Sequence, residues 1–270
     1  MDKFNVITGL PRSGSTLLCN ILNQNPEFHA STTSILLQLI NNISLFWSNS
    51  PEVKGMLQNN RVETEEKLSR VLKGITKNWY NTDKVIFDKC RGWGSNSLLF
   101  NTLFNGLIIC LVRDLRNVFA SIEKQHRKYP VLDLAKNNQE KTIYDKADKM
   151  FSADGIIGMP ILGIEDLIRR KPKNVMFIKY EELSCNPKNV MMQIYERLGI
   201  EYHEHDFEDI KNTAQDPDYL YLNKYPHEGS GKILPYNPNE WKAYVSEDLA
   251  NTIMQRFPQY NSWFEYGGMA

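Results

Sequence analysis

Four short apolar runs, near residues 4–8, 84–88, 107–112 and 174–178, are each followed by a polar loop and then by apolar residues recurring at helical spacing. Helix patterns occupy 15–24, 32–47, 62–78, 95–104, 115–128, 140–151, 154–170, 187–198 and 246–256. This alternation predicts an α/β fold, a three-layer parallel sheet flanked by helices. The run Gly106–Val112 is apolar throughout, as expected of a strand covered on both faces. Asn186-Pro187 reads as an N-cap and a first helical residue. The polar segment 132–149 and the region 203–238, rich in Tyr, Asn, Asp and Pro, have the weakest periodicity and are expected to cover the site as loops. Neither an internal repeat nor a low-complexity linker interrupts the chain, and its 270 residues suffice for one core, so 1–270 is read as a single domain.

The first strand leads into Gly9-Leu10-Pro11-Arg12-Ser13-Gly14-Ser15-Thr16, a hydroxyl-rich turn that opens directly into a helix pattern. Backbone N–H groups at a helix start have no intrahelical partner, and the helix dipole adds positive charge there, so such a turn suits an anion. The loop follows the Walker A frame except that Ser15 stands where a lysine would reach the β- and γ-phosphates. Arg12 places a cation inside the loop instead, which points to a nucleotide phosphate other than that of ATP with magnesium. The run ending at Val112 is followed by Arg113 and Asp114, with Asp114 a candidate helix N-cap and Ser121 about two turns further on.

The loop resembles the one that grips the 5′-phosphosulfate of PAPS (3′-phosphoadenosine-5′-phosphosulfate) in sulfotransferases, closest to members with Pro-Arg-Ser-Gly-Thr-Thr. Arg113 and Ser121 have the spacing of the pair that clamps the 3′-phosphate in that family. The resemblance implies a P-loop NTPase-like sulfotransferase fold, with PAPS as donor and adenosine 3′,5′-bisphosphate as product. It implies cofactor contacts from Pro11, Arg12, Ser13, Gly14, Ser15, Thr16, Arg113 and Ser121. In Val85-Ile86-Phe87-Asp88-Lys89, Lys89 resembles the lysine that touches the sulfuryl group, and the alternative is a solvated lysine paired with Asp88. Tyr180 would lie near the adenosine, or serve as core packing at a strand end. Lys232, in Gly229-Ser230-Gly231-Lys232, resembles the basic segment that closes over PAPS, or belongs to a surface loop. The reaction expected is an in-line transfer to a hydroxyl on a carbohydrate, lipid or small metabolite, with Arg12, Lys89 and loop amides stabilising spread negative charge and no metal required.

The chain departs from the family at the general base. Thr33 stands where related enzymes carry a glutamate after the first helix, and Cys90 and Arg91 follow Lys89 where a histidine is found in others. His227 is named as the candidate base, with His29 the other histidine near these motifs. A P-loop kinase or NTPase, and a catalytically silent nucleotide-binding protein, are the competing readings.

Composition adds limits. The formal net charge is zero, so nothing global predicts a nucleic acid or an anionic membrane as partner. Cys19, Cys90, Cys110 and Cys185 lie far apart without metal-ligand spacing and read as free thiols. The first residues run straight into a strand, and no apolar stretch reaches the roughly 18 residues of a spanning helix, so a cytoplasmic protein is expected. Asn42-Ile43-Ser44 fits a glycosylation pattern but falls in a helix pattern and is set aside.

Overall fold

In the computed structural model, which describes residues 3–128, 142–214 and 229–267, five strands form one parallel sheet in the order β2-β3-β1-β4-β5. The strands are β1 (Phe4–Gly9), β2 (Phe28–Thr33), β3 (Val85–Lys89), β4 (Ile108–Val112) and β5 (Val175–Lys179). The helices up to the middle of the chain are α1 (Ser15–Leu22), α2 (Leu36–Asn49), α3 (Pro51–Asn59), α4 (Arg61–Tyr80), α5 (Ser97–Leu103) and α6 (Leu115–Lys128).

Every residue of β1 and β4 is buried, because both strands are central and helices cover the sheet on both sides. Alternation of side chains splits the core in two. Phe4, Val6, Ile86, Ile108 and Cys110 face one layer with Trp93 and Phe100, whereas Ile7, Phe87, Ile109 and Leu111 face α1 and the helix Pro187–Leu198. Asn5, fully buried, staples the sheet at its amino end. Its amide donates to the Ile86 carbonyl at 3.2 Å and its carbonyl accepts from the Leu107 N–H at 2.8 Å.

The strand order sets the position of the site. From β1 the chain crosses toward β2, and from β4 it crosses toward β5, so the connections diverge between β1 and β4. Such a switch point leaves a crevice at the carboxyl ends of the strands. The 9–16 turn and Arg113 open on that crevice, with Lys89 one strand away.

The four predicted strands are present with their ends shifted by a residue or so, and every predicted helix pattern contains a helix. β2 is an addition. It is an edge strand whose His29, Ser31, Thr32 and Thr33 give no apolar run, and it delays the predicted 32–47 helix to Leu36. Pro51–Asn59 and Pro258–Trp263 are short helices that open on a proline at the first position. Tyr180–Cys185 is a further short helix that follows β5 without a break. The loop expectation for 132–149 fails over Ile143–Met150, a helix started by a capping box in which the Thr142 hydroxyl and the Asp145 carboxylate cap each other's N–H groups. Among the described residues none of the four cysteines forms a disulfide, Cys19 and Cys110 are buried, and no helix is long and apolar enough to cross a membrane.

Gly9 is where the site depends on the sheet most directly. Its φ is +121°, and a Cβ there would sit 2.0 Å from the carbonyl oxygen of Leu111. Gly9→Ala is expected to lower unfolding free energy by on the order of 3 kcal/mol, combining strain and overpacking, as read from the denaturant midpoint.

Candidate active site

Beyond Gly9 the chain turns through Leu10–Gly14, and two residues adopt left-handed backbone: Arg12 at φ 58° and Gly14 at φ 87°. A non-glycine residue in that region costs about 1–2 kcal/mol, so the turn needs external restraint. The Arg113 guanidinium supplies it, its Nη1 donating to the Arg12 carbonyl at 2.8 Å. Ser13, fully buried, donates its hydroxyl to the Leu10 carbonyl at 2.6 Å. Gly14 caps α1, no side chain closes that N-terminus, and the first turn carries no acid. The positive end of the helix dipole is therefore left to whatever occupies the turn. A Cβ on Gly14 would lie 2.8 Å from the Tyr180 ring, so glycine also lets that ring pack against the turn.

Three cations from separate segments meet around this turn. Arg12 Nε donates to Ser121 Oγ at 3.1 Å, and Lys89 Nζ donates to Thr16 Oγ1 at 3.1 Å. Arg113 lies over the Tyr180 ring at 4.2 Å, a cation–π contact, and its Nη2 is 3.6 Å from Glu240 Oε2. Glu240 is shared with Lys124 at 3.2 Å. Arg113 Nε is buried without a hydrogen-bond partner among the described residues. A buried unbonded donor on a cation is costly unless a ligand completes it.

The backbone of Arg113 is held on both sides. Tyr260 Oη accepts from its N–H at 3.2 Å and donates to its carbonyl at 2.9 Å. Asp114 performs the capping read from the sequence: its Oδ1 accepts from the Arg116 N–H at 2.9 Å, and its carbonyl accepts from the Val118 N–H. The N–H of Asp114 donates to Glu181 Oε1 at 3.1 Å, and Tyr266 donates to the other oxygen of that carboxylate. Burial raises the Glu181 pKa, against the opposing pull of these hydrogen bonds. Glu181, Glu240 and Tyr260 escaped the sequence reading because each acts from a distant segment at no motif spacing.

Lys89 ends β3 beside β2. Its N–H donates to Ser31 Oγ at 2.9 Å, and the Ser34 N–H donates to its carbonyl at 2.9 Å. Asp88 points to the opposite sheet face, fully buried, accepting from Trp93 Nε1 at 2.6 Å and from the Tyr80 hydroxyl. Burial pushes its carboxyl pKa up, while those bonds act the other way. The alternative reading of Lys89 as a solvated partner of Asp88 is thereby set aside: Lys89 is only 5 % exposed and is bonded to Thr16.

An irregularity in β2 shifts its register between Ala30 and Thr33. His29 pairs with Ile86, and Thr33 pairs with Lys89, so the shift changes which side of the sheet successive side chains occupy. His29 turns to Tyr80, ring centroids 5.5 Å apart, and its pKa is lowered by burial and by Lys84. It therefore does not join Lys89. Thr33 does, taking the cross-strand position beside it. A cavity of about 730 Å³ opens here, lined by Ser31–Ile35 together with Trp79, Tyr80 and Thr213.

The turn residues, Lys89, Arg113, Ser121 and Tyr180 thus come together. Lys232 pairs instead with Glu208 at 2.5 Å, both side chains largely exposed, beside an antiparallel bridge between Ile210 and Gly231. Gly229, at the other end of that tip, does approach α1: Asn20 donates to its carbonyl at 2.8 Å and accepts from the Ala214 N–H at 2.8 Å. His227 lies outside the described residues.

Comparisons with known proteins agree with this fold. The chain is similar in fold to the sulfotransferase domain of the Synechococcus PCC 7002 olefin synthase, with 21 % identity, 94 % of each chain covered and a TM-score of 0.55. It is similar to the sulfotransferase domain from the curacin biosynthetic pathway at 15 % identity, with 94 % of this chain and 96 % of that one covered and a TM-score of 0.55. A mouse sulfotransferase, SULT7A1, complexed with PAP, matches at 15 % identity over 96 % of this chain and 84 % of that one, with a TM-score of 0.56. A search of curated proteins returns no match. The model described as "Sulfotransferase family" matches residues 6–204, most of the chain, and this places the protein in the sulfotransferase family.

Proposed function

We propose that the chain transfers a sulfuryl group from PAPS to the hydroxyl of an acceptor by in-line displacement. One observation carries the reading: the early turn and the mid-chain Arg113–Ser121 pair are not two sites but one, joined through Arg12 by bonds of 2.8 Å and 3.1 Å. A donor with phosphate at two ends fits such a joined pair, and the unbonded buried Nε of Arg113 is a donor in need of an anion. Solved relatives with PAP support the same donor class.

In this reading the 5′-phosphosulfate is held by Arg12 and by backbone N–H groups of the Pro11–Thr16 turn, Ser13 contributing through its backbone because its hydroxyl is tied to Leu10. Arg113 and Ser121 hold the 3′-phosphate, and Tyr180, already stacked on Arg113, flanks the adenosine. PAPS supplies an activated sulfuryl group on a phosphate leaving group. Lys89, bonded to Thr16 at the helix start, brings positive charge to the turn that a Walker lysine would bring from within the loop. Together Arg12 and Lys89 stabilise the charge spread over the transferring group, with no role assigned to a metal.

Calorimetry with adenosine 3′,5′-bisphosphate tests the donor. Arg113→Ala is expected to weaken binding by about tenfold to a hundredfold, since a hydrogen bond to a charged group contributes about 1.5–3 kcal/mol; unchanged affinity would remove the assignment. Lys89→Met should leave the bisphosphate affinity within a few fold while lowering turnover of radiolabelled PAPS by about 10²–10³, and equal turnover would exclude a role in transfer. Bisphosphate binding without turnover on any acceptor would favour the silent nucleotide-binding reading.

A further inference from the structure

The cavity at the carboxyl end of β2 combines two chemistries. Its lining includes Ser31, Thr32, Thr33 and Ser34; Thr33 takes the cross-strand position beside Lys89, while the Ser31 and Ser34 hydroxyls already accept from the N–H groups of Lys89 and Leu36. Its outer rim is apolar: Trp79 is 46 % exposed and Ile35 is 62 % exposed, although both are large enough that folding would ordinarily bury them. Lys84 is the sole lysine, arginine or carboxylate among its described lining residues, and the ring of His29 is held against Tyr80.

The apolar rim continues along α2. Ile35, Leu39 and Phe46 are spaced four and seven apart, which keeps them on one side of the helix, whereas Leu36, Leu37 and Ile40 form the buried side. Phe46 is 77 % exposed. From Ile35 to Phe46 the helix rises about 16 Å, so an apolar track runs outward from the mouth of a hydroxyl-lined cavity. Lys84 and the cations of the turn make this region unfavourable for a positively charged molecule.

We propose that the acceptor is an amphiphile without positive charge, its hydroxyl-bearing head held by Ser31–Ser34 beside Lys89 and its apolar body lying on Trp79 and along Ile35, Leu39 and Phe46. This rests on the sulfotransfer reading and narrows it. A free sugar fills the hydroxyl wall but leaves the rim in water. An amphiphile covers both surfaces at once, and burial of the rim adds affinity in proportion to the apolar area covered.

Matched glucosides test the proposal. With the wild-type protein saturated in adenosine 3′,5′-bisphosphate, n-octyl β-D-glucoside, kept below its micelle concentration, is expected to bind at least tenfold more tightly than methyl β-D-glucoside. Trp79→Ala should erase most of that difference, and Phe46→Ser, at the surface, should reduce it, both without changing bisphosphate affinity. Equal binding of the two glucosides, or a difference untouched by both substitutions, would overturn the amphiphile assignment. A wild-type protein that fails to bind the bisphosphate would instead overturn the sulfotransfer reading, so the two failures are distinct.

Discussion

The bond from the Arg113 guanidinium to the Arg12 carbonyl is the constraint on which the site depends. It crosses from β4 to the turn after β1, over the point where the sheet's connections diverge, and it restrains a residue held in left-handed backbone. Because Arg12 reaches on to Ser121, the two bonds together tie the turn and the cation inside it to the middle of α6. A cation buried to this degree needs compensation, and it draws it from several sources: the Tyr180 ring, the partly exposed Glu240 and the Arg12 carbonyl. Its Nε remains buried without a hydrogen-bond partner among the described residues.

The sheet makes this arrangement rigid. Arg113 leaves a fully buried strand and is gripped at its backbone by Tyr260, itself fully buried, from a helix near the end of the chain. Lys89 is held in a similar way at its N–H and carbonyl by Ser31 and Ser34. Preorganisation of cations costs stability when charges approach each other, and the sheet ends supply the positions at which that cost is met by neighbouring hydrogen bonds and rings.

Much of this was legible in the sequence because it is local. A run such as Ile108–Val112, apolar at every position, can only be a strand covered on both faces or a buried helix segment, and the Arg-Asp that follows marks its end. The turn and the Arg113–Ser121 spacing are likewise short-range. β2 was not legible, since an edge strand with Ser31, Thr32 and Thr33 lacks both an apolar run and clean alternation, and its register shift depends on β3. Glu181, Glu240 and Tyr260 were hidden for the same reason: their partners are 67, 127 and 147 positions away in the chain. His29 shows the limit from the other side, as proximity to Thr33 in sequence placed it among candidate bases while the shift in β2 sends it to Tyr80.

The two halves of the crevice differ in character. The side toward β4 is cationic and fixed by long-range bonds, suited to an anion of defined shape; the side toward β2 is hydroxyl-lined and opens on apolar surface. A crystal structure with adenosine 3′,5′-bisphosphate bound tests the central claim most directly. The account predicts the 5′-phosphate on the N–H groups of the Pro11–Thr16 turn and the 3′-phosphate within hydrogen-bond distance of Arg113 and Ser121, Nε of Arg113 included. A nucleotide whose two phosphates leave either the turn or the Arg113–Ser121 pair unengaged would contradict it.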